Sequence, residues 1–383
     1  MSPPYRVGIL GLGHWYSAYG LARALPEYPA ATLVAVACPD SSHLEQFCTT
    51  FGVPGVTDYA DVIDRDDVDI VHIASPVCDI PELTMRAARA GKHIVMGKPM
   101  AMTVAQANEM VRVVEASGVT CVPFQGLMRL RHRAVKARID AGEIGRVAVL
   151  HQAGRWSIAE DWHQSGRPGW FVDPTQVPGG AFIDEGIYWI DLFRWLAGSE
   201  VVEVEAKMRN LVHTGLAVED WGQAVFTFAN GVIATLEAAW TINAPRATGP
   251  SPKHNSVVRL EVIGTRGEVI EQWFRSPGSA VLAAGAQDWV FERSGDGAFG
   301  APTPGPLAHL IECLEAGRRP LSTIRDARAA FVAAMAAYRA AREARPVRLD
   351  EDVPAHPPPD AGAPRAPVAA DRVTRVARTA QFG

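Results

Sequence analysis

At 383 residues, with 37 Lys and Arg against 42 Asp and Glu and a formal net charge of -5, the chain has room for about two domains. It shows no basic stripe of the kind a nucleic-acid partner requires. No apolar run reaches the roughly 20 residues that span a bilayer, and the N-terminus lacks a basic-then-apolar leader pattern. A small-molecule partner and a cytoplasmic address are the expectation. Five scattered cysteines, Cys38, Cys48, Cys78, Cys121 and Cys313, form no C-x-x-C pair. They argue against a disulfide framework or a structural zinc and read as small buried apolar residues.

In chain order, Val7-Gly8-Ile9-Leu10 breaks into Gly11-Leu12-Gly13, and a helix pattern follows. In a strand, turn and helix start of this kind, the first glycine permits a tight turn. The second lets backbone approach a pyrophosphate, and the helix amino end, with His14 and Trp15 beside it, offers N–H groups to the anion. Tyr16 stands where a third glycine would allow close helix-to-strand packing, and the same spacing also serves a tight βα turn that binds nothing. Strands are then expected at 33–37, 70–74, 93–96 and 120–123, with helices at 42–51, 81–90 and 104–117. Short strands separated by such helices imply a doubly wound parallel sheet with right-handed crossovers, a dinucleotide-binding domain over 1–125.

Beyond residue 125 the β-type runs lengthen, at 146–156, 201–210, 221–228, 232–241, 257–263 and 268–274. Punctuation at Ala229-Asn230-Gly231 and from Gly264 to Gly267 points to mostly antiparallel pairing. One large open sheet with a polar face, helices at 183–196, 307–316 and 323–342, and hence an α+β domain over 126–353, is the simplest reading. Pro and Ala dominate 354–383, which reads as a flexible tail or a strap onto a neighbouring subunit.

Several blocks carry chemistry. Asp184 and Tyr188, at i and i+4 of a helix, share one face. An aromatic-rich segment holds Trp156, Trp162, His163 and Trp170, and flat apolar rings with sparse polar heads suit a carbohydrate, although such clusters also fill cores. No second histidine or carboxylate stands at metal-ligand spacing, so no metal is expected. At the end of the second strand, where an acidic residue would bind ribose hydroxyls, the chain reads Ala37-Cys38-Pro39-Asp40; Asp40 is the candidate.

Gly11-Leu12-Gly13, Gly91 through Gly97-Lys98-Pro99, Gly142-Glu143-Ile144-Gly145, Gly179-Gly180-Ala181-Phe182-Ile183-Asp184 with Tyr188 and Asp191, and Gly264-Thr265-Arg266-Gly267 resemble the Gfo/Idh/MocA oxidoreductase family over residues 5–349. The likeness is to glucose-fructose oxidoreductase and inositol dehydrogenase types. It implies an N-terminal Rossmann domain that binds a nicotinamide cofactor, NAD with NADP left open, and a C-terminal open-sheet domain that carries substrate residues and the contacts of a dimer or tetramer. The implied chemistry is hydride transfer at a secondary hydroxyl of a sugar, sugar derivative or inositol, with Lys98 beside the reacting hydroxyl and a following proline that often takes a cis bond. Ser75-Pro76 resembles the family's turn near the nicotinamide. Relatives also include redox-neutral enzymes that eliminate glycosides and non-catalytic sensors.

The departures from the family pattern fall at functional positions. Gly97 replaces a glutamate, Tyr188 a histidine and Cys38 an aspartate, while Val77 and Ile80 replace polar residues and leave the pocket less polar. A phenol ionises near 10 in water, and an adjacent ammonium lowers that value. Tyr188 is therefore the expected base, with Lys98 lowering its pKa and Asp184 orienting the sugar.

Overall fold

The computed structural model describes residues 4–124, 130–158, 169–242, 257–273, 278–293 and 305–349. The first part runs β1 (Tyr5–Leu10), α1 (Trp15–Ala24), β2 (Ala31–Ala37), α2 (Ser41–Phe51), β3 (Gly55–Val56), α3 (Ala60–Ile63), β4 (Ile70–Ile73), α4 (Ile80–Arg89), β5 (His93–Met96), α5 (Val104–Ser117) and β6 (Cys121–Pro123). Its strands pair in the order β3-β2-β1-β4-β5-β6, all parallel. Helices cover both faces, so Val7, Ile9, Ile70, Val71, Ile94 and Val95 are buried on either side, as continuous apolar runs in parallel sheets require. The order reverses between β1 and β4, which puts their C-terminal ends at the crevice where open α/β sheets take ligands.

After α6 (Leu130–Asp140) come β7 (Val147–Arg155), α7 (Ala181–Ala197), β8 (Val201–Arg209), β9 (Trp221–Phe228), β10 (Ile233–Ala239), β11 (Val257–Gly264), β12 (Glu268–Trp273), β13 (Gly278–Leu282), β14 (Val290–Arg293), α8 (Gly305–Ala316), α9 (Ile324–Glu343) and β15 (Val347–Arg348). The second sheet has the order β14-β13-β12-β11-β7-β10-β9-β8-β15. It is antiparallel except for β7 beside β10, because the chain crosses through α7 between them. Burial alternates along β9 and β11. Phe226, Leu236 and Leu260 face the helices, and the opposite face stays open.

Three expectations need correction. Helix α6 has no counterpart among the expected elements, because its sequence, Leu-Arg-His-Arg-Ala-Val-Lys-Ala-Arg-Ile-Asp, carries no apolar stripe. Helix α8, read as part of the 126–353 unit, packs on the first sheet, where Leu307, Leu310 and Ile311 share a core with Val7, Ile9 and Val95. Of the cysteines, Cys38, Cys121 and Cys313 are buried as expected, whereas Cys48 and Cys78 are only half-buried; all five are free thiols. The 354–383 segment lies outside the described residues.

Candidate active site

At the end of β1 the backbone turns with Gly11 at φ +86, a conformation that favours glycine. A Cβ there would stand 2.6 Å from the Ser75 Cα, and one at Gly13 would stand 2.9 Å from Pro76 Cδ. Both glycines thus let the β1 turn nest against the turn after β4, and Gly13 is required by Pro76 whatever else lies there. The His14 N–H seals the junction by donating to the Ala74 carbonyl at 2.7 Å, and the His14 carbonyl accepts the first bonds of α1 from Ser17 and Ala18.

His14 itself is 2 % exposed. Its Nδ1 lies 2.9 Å from the Ser75 carbonyl oxygen, which can only accept, so Nδ1 carries the proton. Burial, reinforced by the Lys98 ammonium, lowers its pKa to about 3. The ring is neutral, and its Nε2 is a buried acceptor without a partner. A glycine turn, a helix amino end and an orphaned acceptor at one place fit a dinucleotide with an amide donor at its redox end. Trp170 reaches the same turn. Its indole Nε1 donates to the Gly13 carbonyl at 3.3 Å, while its ring stacks on Phe171 at 3.8 Å and meets His14 edge-on at 4.7 Å.

Beyond β5, Lys98 precedes a cis peptide bond to Pro99, as the resemblance implied. Gly97 before it is closed in, since a Cβ there would stand 2.9 Å from the Ile73 carbonyl oxygen and 3.0 Å from Ile80 Cδ1. Lys98 is buried and donates to both the Asp184 carbonyl oxygen and Asp184 Oδ1, each at 2.5 Å. Burial alone would lower the ammonium's pKa, but Asp184, then Tyr188 and Glu185, hold it well above its usual value. Its Nζ sits 4.8 Å from the centroid of the Tyr188 ring, a cation–π arrangement. The structure therefore brings Lys98, Asp184 and Tyr188 together, with His14 and Tyr16 adjoining.

The expectation that Lys98 depresses the Tyr188 phenol is corrected. Burial pushes the phenol up, Glu185 and Asp184 push the same way, and the pull of Lys98 does not offset them. Tyr16 couples to it: burial, Tyr188 and Asp184 all raise the Tyr16 phenol. The missing third glycine is thus a second phenol at the site, which the sequence signalled only as a packing defect.

The other sequence-derived residues are more scattered. Asp40 caps α2, its Oδ1 accepting from the Ser42 and His43 amides at 2.9 and 3.1 Å and from the Ser42 hydroxyl at 2.7 Å. Ser75 is fully buried, as are Val77 and Ile80, so the apolar replacements line the core. Trp15 is half-buried at the start of α1. Trp156 lies over Gly154, where no Cβ would fit, and joins Trp170, Phe171 and Trp240 in an apolar cluster. Trp162 and His163 lie outside the described residues. Asp191 is structural: it pairs with Arg194 at 3.1 Å and accepts from Ser322.

Residues 5–124 match an oxidoreductase family with an NAD-binding Rossmann fold, and residues 132–270 match the GFO/IDH/MocA C-terminal domain. The chain belongs to the Gfo/Idh/MocA family. Among the relatives of this Gfo/Idh/MocA oxidoreductase, scyllo-inositol 2-dehydrogenase (NAD(+)) of Bacillus subtilis is 28% identical over 91% of this chain and 98% of its own length. Levoglucosan dehydrogenase of Pseudarthrobacter phenanthrenivorans is 26% identical over 70% of this chain and 74% of its own. The crystal structure of aldose-aldose oxidoreductase from Caulobacter crescentus, complexed with glycerol, is 25% identical and superposes with a TM-score of 0.76 over 90% of this chain and 99% of that one.

Proposed function

We propose that this Gfo/Idh/MocA oxidoreductase interconverts a secondary alcohol and its ketone on a sugar, sugar derivative or inositol, at Lys98, Asp184 and Tyr188. The observation that carries this reading is the buried Lys98–Asp184 pair, set one strand from the switch point of the first sheet. Gly11, Gly13, His14, Trp15, Ser75 and Pro76 would hold NAD, with His14 Nε2 as an acceptor and Asp40 toward the ribose. When bound, the coenzyme would take up the hydride as NAD+ in oxidation or give it up as NADH in reduction.

The protein's own groups do the rest. An ammonium has three donors, and Lys98 uses two sites on Asp184; the third donates to the reacting oxygen and stabilises the charge that develops there. Tyr188 moves the proton, giving it to the ketone oxygen in reduction and taking it from the alcohol in oxidation. Asp184 keeps Lys98 charged, and its second carboxylate oxygen serves a substrate hydroxyl. Trp156 and Trp170 would offer apolar ring faces to the sugar; Trp162 and the polar His163 stay sequence candidates for the same role. The polyol and sugar substrates in the names of the two relatives support this substrate class.

The open face of the second sheet, with His151, Gln223, Thr235, Glu237, Arg259 and Glu261 around a hollow, supports a homo-oligomer. Five free thiols support a reducing, cytoplasmic setting. The test is a screen of inositols and sugars with NAD or NADP, read by absorbance of reduced nicotinamide. Release of NADH with one substrate class, lost in Lys98→Met, is expected and separates this reading from redox-neutral glycoside cleavage. No heat on titration with either coenzyme, together with no turnover, overturns it.

A further inference from the structure

The first turn of α7 carries Asp184, yet nothing within α7 caps it. Its N-cap is Gly180, which has no side chain to offer, where helices ordinarily place Ser, Thr, Asp or Asn. The amides that helix geometry leaves unpaired are satisfied from far along the chain. Gly180 N–H donates to both carboxylate oxygens of Glu219 at 3.0 and 2.9 Å, and Phe182 N–H to Glu219 Oε1 at 3.0 Å. Ala181 N–H donates to the main-chain carbonyl of Glu219 at 2.9 Å. Ile183 N–H donates to the hydroxyl of Tyr338, which in turn donates to Glu219 Oε1 at 2.6 Å.

The glycine pair makes this possible. A Cβ at Gly180 would collide with the Glu219 carbonyl, and one at Gly179 with the Tyr338 hydroxyl. Glu219 is itself fixed by its neighbour Asp220, whose carboxylate accepts from the Leu211 and Val212 amides at 2.8 Å and whose carbonyl accepts from Trp240 at 2.7 Å. Tyr338 is mounted on α9, which packs along α7. The amino end of α7 is thus pinned to the loop before β9 and to α9, through residues 39 and 155 positions away in sequence.

We infer that Glu219 and Tyr338 are positioning residues for the reaction assigned to Lys98 and Asp184, and that Gly179-Gly180 exists to admit them; the inference rests on that assignment. Asp184 N–H makes the first bond inside the helix, to the Gly180 carbonyl at 3.0 Å, so Asp184 follows directly on the pinned turn. Lys98 grips both the main-chain and the side-chain oxygen of Asp184. A slip of the first turn would move both acceptors together and carry the ammonium off the reacting oxygen. Because Glu219 takes the helix-end amides, the Asp184 carboxylate is left to Lys98.

The test is a double-mutant cycle on the whole enzyme with NAD and the substrate found in the screen. Glu219→Gln and Tyr338→Phe are made in the wild-type and in the Asp184→Asn background. Tyr338→Phe removes a single hydroxyl and carries the test should Glu219→Gln not fold. Each single variant is expected to lower kcat by about 10- to 100-fold, as misplacement of a reacting group does, with the Kd for NAD unchanged. Each is expected to slow Asp184→Asn by less than it slows the wild type. A fall in Tm with kcat at the wild-type level, or losses that multiply in the double variants while Asp184→Asn is slow, overturns the inference alone. An Asp184→Asn enzyme with wild-type kcat overturns the active-site reading, and the inference with it.

Discussion

Lys98 holds Asp184 by two oxygens at once, the main-chain carbonyl and carboxylate Oδ1, each at 2.5 Å from Nζ. Both side chains are more than nine-tenths buried, so each charge depends on the other for compensation. Removing one partner of a buried ion pair leaves an uncompensated charge, at a cost of about 3–5 kcal/mol. Lys98→Met should lose about that much stability in urea unfolding at neutral pH, besides losing turnover. Lys98→Met/Asp184→Asn should regain most of the stability and none of the turnover.

Tyr188 supplies a pH signature. Burial raises its phenol above the usual value near 10, so at neutral pH the group stays protonated and the phenolate is scarce. Alcohol oxidation should quicken about tenfold per pH unit from neutrality to about pH 9, and ketone reduction should stay flat over that range. Tyr188→Phe should remove the slope. An oxidation profile with the same slope in the variant would take the phenol out of the proton path.

Two buried histidines make the fold acid-sensitive. His72 is 2 % exposed, with Nε2 at 2.5 Å from the Ser17 hydroxyl and Nδ1 unpartnered. Burial lowers its pKa to about 4, and that of His14 to about 3, from 6.5. A depressed histidine pKa means that the unfolded chain binds the proton first. Stability is whole above about pH 6.5 and falls as the pH drops toward 4 for His72 and 3 for His14, each by on the order of a few kcal/mol when fully titrated. Thermal melts at pH 7 and pH 5 should show the loss, and His72→Gln, which cannot titrate, should show less of it.

Asp40 caps α2 through its Oδ1, and substitution can separate that role from the ribose contact proposed for it. A cap is worth about 1 kcal/mol. Asp40→Ala should lower both Tm and NAD affinity. Asp40→Asn keeps a capping oxygen, so Tm should hold while the KM for NAD rises and preference over NADP weakens. Unchanged coenzyme kinetics in Asp40→Asn would assign the residue to the helix alone.

At position 97 the family's glutamate cannot simply be put back. The Ile73 carbonyl and Ile80 methyl lie within 3.0 Å of where the Cβ would stand, and overpacking of this kind costs about 1–3 kcal/mol. Gly97→Glu should lower Tm and leave kcat no better than wild type. A stable Gly97→Glu enzyme with faster turnover would show that the backbone there yields readily.

The parallel sheet was legible because its strands are short apolar runs that alternate with helical stretches of about ten residues. Helix α6, with charges all round, gave no period to read. The pairing of β7 with β10 was hidden too, since alternation reports which face is buried and not which neighbour a strand takes. The motif blocks pointed to Lys98, Asp184 and Tyr188, which the structure brings together. The direction of the Tyr188 shift was not legible, because it depends on how burial and the carboxylates of Glu185 and Asp184 weigh against one ammonium. Glu219 and Tyr338 act across 39 and 155 residues, a separation no local pattern reports; the Gly179-Gly180 pair was their only trace.

Trp170 has an optical consequence. Its indole is hydrogen-bonded to the Gly13 carbonyl and wedged against His14, which tethers a fluorophore to the glycine bend itself. Indole emission overlaps the absorption band of reduced pyridine nucleotides, so a dihydropyridine ring seated nearby would drain its excited state. With ten tryptophans in the chain, a coenzyme bound as proposed should quench several of them, and Trp170→Phe should weaken that quenching, which would read occupancy without a label or a substrate.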